Sequence, residues 1–109
     1  MSLQRRTYAV TWREADGPLR AGKLALGSRG LRLEGGTARR HLSSQRILYN
    51  DLSAIETARD PAVRIGGRPT IVVKRPGRPP LAIACVDNPG CLHELAERLR
   101  QALVDTVPP

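Results

Sequence analysis

Three small groups of residues have the types that chemistry uses, and each can be tested by its spacing. Cys85, Cys91 and His93 are candidate metal ligands. A zinc site needs four ligands in recurring spacings; C-x5-C-x-H fits none of the common ones, and no fourth ligand is evident. Cys85 alternates with Leu81 and Ile83 on one face of a strand, and Cys91 falls in the first turn of a helix. Both therefore read as small buried core residues rather than as ligands or a disulfide. His93-Glu94-Leu95-Ala96-Glu97 approaches the zincin pattern H-E-x-x-H, but Glu97 stands where the second imidazole must be. Ser43 and Ser44 lie beside His41, yet a nucleophile needs a base and an orienting acid in fixed geometry, which neighbours in a loop seldom hold. There is no G-x-S-x-G elbow and no phosphate-cradling P-loop. No catalytic residue, metal or cofactor is expected.

The remaining chemistry is electrostatic. The 109 residues carry a net charge of +8. Residues 1–50 hold ten basic and three acidic side chains, +7, whereas residues 51–109 hold eight and seven, +1. Such a bias suits either a basic face turned to an anionic partner or a solubilising surface with no partner. The candidate contacts to an anionic ligand are Arg13, Arg20, Lys23, Arg39, Arg40 and Arg46. Trp12, beside Arg13, is a contact anchor if exposed and a core residue if buried; the core is the preferred reading. Sequence-independent binding of nucleic acid is the weaker alternative, because single-strand binders stack bases on aromatic platforms and this chain has only Tyr8, Trp12 and Tyr49.

These residues must be positioned by strands and one helix. Tyr8, Val10 and Trp12 alternate within a strand over 6–14, and Asp16-Gly17-Pro18 makes a turn. Leu24 and Leu26 alternate into Gly27-Ser28-Arg29-Gly30, and Leu31 and Leu33 alternate out, giving a hairpin with one apolar face. Residues 35–44 are polar and read as a flexible surface loop. Further strands are expected at 46–50, 52–58, 69–75 and 81–86, with Asp60-Pro61 as a break and a short piece at Val63 and Ile65. The segment 87–104 reads as a helix. Asn88 is its N-cap and Pro89 its first residue. Leu92, Leu95, Ala96, Leu99, Ala102 and Leu103 share one face at i, i+3, i+4, i+7 spacing, and Pro108-Pro109 stops it. The whole chain, 1–109, is one domain by length, with strands over about 6–86, a helix over about 88–104 and flexible ends.

About seven strands joined by short turns pair antiparallel, and one closing helix suits a strongly bent sheet or an open barrel plugged at one end. The order Gly22-x-Leu-x-Leu, Gly30-Leu-x-Leu, Arg46-Ile-Leu-Tyr-Asn-Asp-Leu-Ser-Ala-Ile55 and the Asn88-Pro-Gly helix resembles the pleckstrin-homology-like superfold in its small bacterial and GRAM-like versions. The resemblance spans about residues 6–104 and implies an α+β, mainly β, architecture: a seven-stranded antiparallel bent sheet or open barrel capped by the C-terminal helix. It also implies binding rather than catalysis. The family's phosphoinositide pattern is matched poorly, since Arg20 and Lys23 have the wrong spacing and Glu14 and Asp16 bring negative charge to the same loop. The expected role is a non-catalytic module that engages an acidic protein segment or an anionic membrane surface, with self-association through strand edges as a structural alternative. The first residues have basic side chains but no apolar stretch, and no run of apolar residues is long enough to cross a bilayer. A cytoplasmic location, or a peripheral one at the membrane, is expected.

Overall fold

Alternation is carried directly into structure in the first strand. In the computed structural model, which describes residues 7–15, 17–37, 42–58, 64–87 and 89–106, β1 runs over Thr7–Glu14 and turns Tyr8, Val10 and Trp12 into the core. Successive Cβ atoms point to opposite faces, so Ala9, Thr11 and Arg13 face outward. β2 (Arg20–Leu26) and β3 (Gly30–Gly36) form the hairpin, with Leu24, Leu31 and Leu33 fully buried. β4 (Leu42–Leu48) leads into a 3-10 turn at Tyr49–Asp51, then β5 (Ala54–Ala58), β6 (Thr70–Lys74) and β7 (Leu81–Cys85) follow. The helix α1 spans Pro89–Thr106.

The seven strands make one sheet in the order β4-β3-β2-β1-β7-β6-β5, antiparallel at every pairing. β4 and β5 are its two edges, so the sheet is bent but not closed. The first and last strands meet through Trp12 opposite Ile83. The core lies inside the bend, built from Tyr8, Val10, Trp12, Leu24, Leu33, Ile47, Ile71, Val73, Leu81 and Ile83 among others. The helix lies against β5, β6, β7 and the 3-10 turn. Leu92, Leu95, Ala96 and Leu99 are its buried face, with Ala102 and Leu103 partly buried. Each of those leucines contributes about 1.5–3 kcal/mol at most by leaving water, and this burial, not helix propensity, holds the element. Cys85 and Cys91 are buried in the same core and are not joined in a disulfide.

Three sequence expectations change. Residues 35–44 are not one loop: Gly35 and Gly36 belong to β3, and Leu42–Ser44 belong to β4, which therefore starts four residues earlier than Arg46. The glycines are required by a close approach of backbones. A Cβ on Gly22 would sit 2.0 Å from the Glu34 carbonyl oxygen, and one on Gly35 would sit 2.1 Å from that of Ala21. The start of β4 shows no apolar alternation because Leu42, Ser43 and Ser44 are all exposed. The strand expected at 46–50 ends at Leu48, and Ile65 makes only an isolated bridge with Arg68. The expected flexible ends, the Asn88 cap, the Asp60-Pro61 break, Val63, Asp16 of the first turn and the Pro108-Pro109 stop lie outside the described residues.

Candidate functional site

The basic residues singled out in the sequence divide between two faces. Lys23 lies on the outer face of β2, opposite Ala9 and Glu34, and its Nζ is 3.9 Å from a Glu34 carboxylate oxygen. Arg46 is opposite Arg32 in the β3–β4 register, on that same outer face. Arg13 also faces outward, but it lies opposite Ala82 of β7, four residues along β1 from the position opposite Lys23, or about 13 Å away. Arg20 shares the face of Trp12 at the end of β2, and its Nη1 donates to Ser43 Oγ at 2.9 Å. Arg39 and Arg40 lie outside the described residues. Trp12 is 2% exposed and packs in the core, so it offers no surface to a partner. The four described candidates therefore do not form one site: Lys23, Arg46 and Arg13 lie on the outer face at separate places, and Arg20 lies on the other face.

A different pattern emerges when each cation is followed to its partner. Lys23 and Arg32 are paired with Glu34, Lys74 with Glu56, Arg75 with Glu14 and Arg100 with Glu97. Arg64 and Arg68 donate to backbone carbonyls, and Arg98 donates to the Tyr8 hydroxyl. Among the described residues, Arg13, Arg29, Arg46 and Arg78 are left with no side-chain hydrogen bond or ion pair. Three of these four line two neighbouring hollows. One, of about 200 Å³, is bordered by the 25–32 hairpin, including Arg29 and Arg32, and by Arg46. The other, of about 340 Å³, is bordered by Arg46, Ile47, Asn50, Asp51, Arg75, Pro76 and Arg78. Arg46 is common to both, and the second hollow lies in the seam where the sheet fails to close.

Each arginine is placed by a local device. Arg29 sits at the tip of the β2–β3 hairpin. That tip is fixed to the 3-10 turn by Tyr49, whose N–H donates to the Arg29 carbonyl at 3.0 Å and whose hydroxyl donates to the Gly27 carbonyl at 2.8 Å. Burial pushes the Tyr49 hydroxyl pKa above its ordinary value, more than the positive charge of Arg98 lowers it, so this donor keeps its proton at neutral pH. Arg78 closes a four-residue turn: its N–H donates to the Arg75 carbonyl at 3.2 Å, with Pro76 second and Gly77, at φ +72°, third. That is the residue pattern of a type II turn.

Arg75 of the second hollow is a buried guanidinium paired with a half-exposed carboxylate. Arg75 has 3% of its side chain exposed, and its Nη2 is 3.2 Å from Glu14 Oε1 and donates to the Pro79 carbonyl at 3.3 Å. Gln45 Nε2 donates to the same Glu14 oxygen at 3.3 Å, tying β1 to β4 across the inside of the bend. Burial alone raises the Glu14 carboxyl, but the hydrogen bonds from Gln45 and Arg75 and the charges of Arg75 and Arg78 outweigh it and hold it below its ordinary value. Arg75 Nε has no partner. The hollow therefore sets Arg46 and Arg78, which make no side-chain hydrogen bond or ion pair with a described residue, beside Asp51 and the paired Arg75.

Sequence reasoning missed Arg29, Arg75 and Arg78. Counting charge by halves drew attention to the first fifty residues and away from Lys74-Arg75-Pro76-Gly77-Arg78, a basic turn that was readable as a local cluster. The chain matches no protein-family model, and no curated protein matches it. No helix among the described residues is long and apolar enough to cross a membrane.

Proposed function

We propose that this chain is a non-catalytic, pleckstrin-homology-like binding module whose ligand is an acidic protein segment, held along β4 by Arg29, Arg46 and Arg78. The observation that carries the reading is the placement of the unpaired guanidiniums: three of the four line two hollows that share Arg46. A surface designed only for solubility has no reason to collect its unneutralised charges in concavities. Ion pairs at exposed guanidiniums such as these contribute about 0.2–1 kcal/mol each, so the three together supply a weak, salt-sensitive attraction. The bent sheet with one C-terminal helix agrees with the resemblance in the sequence, and that fold class favours binding. Of the two serines beside His41 in the sequence, Ser43 accepts a hydrogen bond from Arg20.

The test is titration of a fluorescent glutamate-rich peptide at low salt against the parent chain, Arg46→Glu and Arg13→Glu. Arg46→Glu is expected to weaken binding tenfold or more. Arg13→Glu reverses an equally unpaired charge away from the hollows and should stay within about twofold. Equal losses would reduce the effect to net charge and end the reading. Vesicles containing phosphatidylserine, vesicles of phosphatidylcholine alone and single-stranded RNA form parallel arms. Selective retention on phosphatidylserine or RNA, with no retention of the peptide, would replace the acidic segment by a membrane or a nucleic acid.

A further inference from the structure

The direction of the β4 backbone can be derived from one hydrogen bond. Tyr49 N–H donates to the Arg29 carbonyl, and residues 29 and 49 continue the register that sets Leu31 opposite Ile47 and Leu33 opposite Gln45. In an antiparallel ladder hydrogen-bonded and non-bonded pairs alternate. Ser43, Gln45 and Ile47 therefore direct their N–H and C=O groups to β3. Leu42, Ser44, Arg46 and Leu48 direct theirs to the side where β4 has no neighbouring strand among the described residues.

That free edge is long and little protected. Leu42 is 86% and Leu48 40% exposed. Leu42, Ser43 and Ser44 border a third, shallow hollow of about 660 Å³ together with Gly22, Lys23, Glu34 and Gly35, so β4 contributes at least one residue to each of the three hollows. A row of alternating donors and acceptors is not matched by a lipid headgroup, which supplies acceptors; it is matched by another backbone. Charge selects which backbone. Two copies of this chain would bring net charges of +8 together and place two Arg46 side chains on one ladder, where like charges repel. An acidic strand meets the opposite situation.

We infer that the free edge of β4 takes an extended acidic peptide as an eighth strand, its backbone bonded to Ser44 and Arg46 and its carboxylates paired with Arg46, Arg29 and Arg78. This rests on the anion-binding reading above and adds the mode of recognition. In an antiparallel added strand, as at every other pairing in this sheet, residues that exchange hydrogen bonds with Ser44 and Arg46 lie opposite them and on the same outer face. In a peptide that alternates Glu with Val, the Glu residues take those places, so it is the Glu N–H groups that face β4, while the Val N–H groups face away.

Two N-methylated versions of the heptapeptide Glu-Val-Glu-Val-Glu-Val-Glu keep its charge and separate the possibilities. Methylation of the Glu nitrogens is expected to weaken binding tenfold or more; methylation of the Val nitrogens should change it by less than about threefold. On the protein side, Ser44→Pro removes an edge donor without touching the β3 ladder and should produce the same loss with an unchanged circular dichroism spectrum. If both methylated peptides bind like the parent peptide, strand addition is overturned while the arginine surface stands. If both bind equally weakly, the contact does not have the alternating polarity of a strand and the inference also fails. A concentration-dependent dimer that excludes the peptide would identify a second copy as the occupant and overturn it as well.

Discussion

A guanidinium as deeply buried as Arg75 has given up its hydration, and Glu14 is what compensates it. Removing one partner of a buried pair costs about 3–5 kcal/mol; here the carboxylate is 43% exposed and water can reach it, so a smaller penalty of about 1–2 kcal/mol applies to Glu14→Gln at neutral pH. The sign with pH follows from the lowered pKa. A carboxyl that titrates lower in the folded chain than its ordinary 4.5 contributes stability above that value and loses it as pH falls through the folded pKa. Urea unfolding of the parent and of Glu14→Gln should therefore show a gap at pH 7 that narrows below the ordinary carboxylate range. A gap that persists unchanged in acid would mean that Glu14 acts through packing and not through charge. None of this was readable from the sequence, where Glu14 appeared only as unwanted negative charge in a basic loop. Its partners, Gln45 and Arg75, are distant in the chain and are brought to it by the bend.

At the scale of the element, the chain divides by whether one face is buried. Burial of one side imposes a period on the residues, and the period was legible at Tyr8-Val10-Trp12, at Leu24 through Leu33 and at Leu92-Leu95-Leu99. The first half of β4 is exposed on both sides, so no period marks it, and the glycines before it resemble a loop. Those glycines are structural in a way that can be measured. A Cβ at Gly22 meets backbone atoms at 2.0 and 2.7 Å, which cannot swing aside, whereas one at Gly77 meets nothing within 4 Å and bears only the strain of its positive φ. Gly22→Ala is expected to cost about 3 kcal/mol by forcing β2 and β3 apart. Gly77→Ala should cost about 1 kcal/mol. Similar midpoints in thermal unfolding for the two variants would contradict the close approach of these strands. The candidate surface was half legible: Arg46 was named, but Arg29 and Arg78 join it only because the hairpin tip and the type II turn each border a hollow that Arg46 also lines.

For the molecule as a whole, the exposed edge is also a hazard. Proteins commonly protect a free strand with proline, a bulge or a covering element; here β4 carries no proline, and two leucines point from it into water. The protection that remains is mutual repulsion between chains of charge +8, and repulsion of that kind depends on the ions present. It can be cancelled by dosage. Titration with a long polyglutamate should turn a clear solution turbid near the ratio at which the charges balance, and clear it again when excess polyanion recharges the complexes with the opposite sign. A chain kept apart from its neighbours in this way has solubility set by the polyanions around it: the same +8 that disperses it alone becomes the means of its condensation when opposite charge arrives in equal measure.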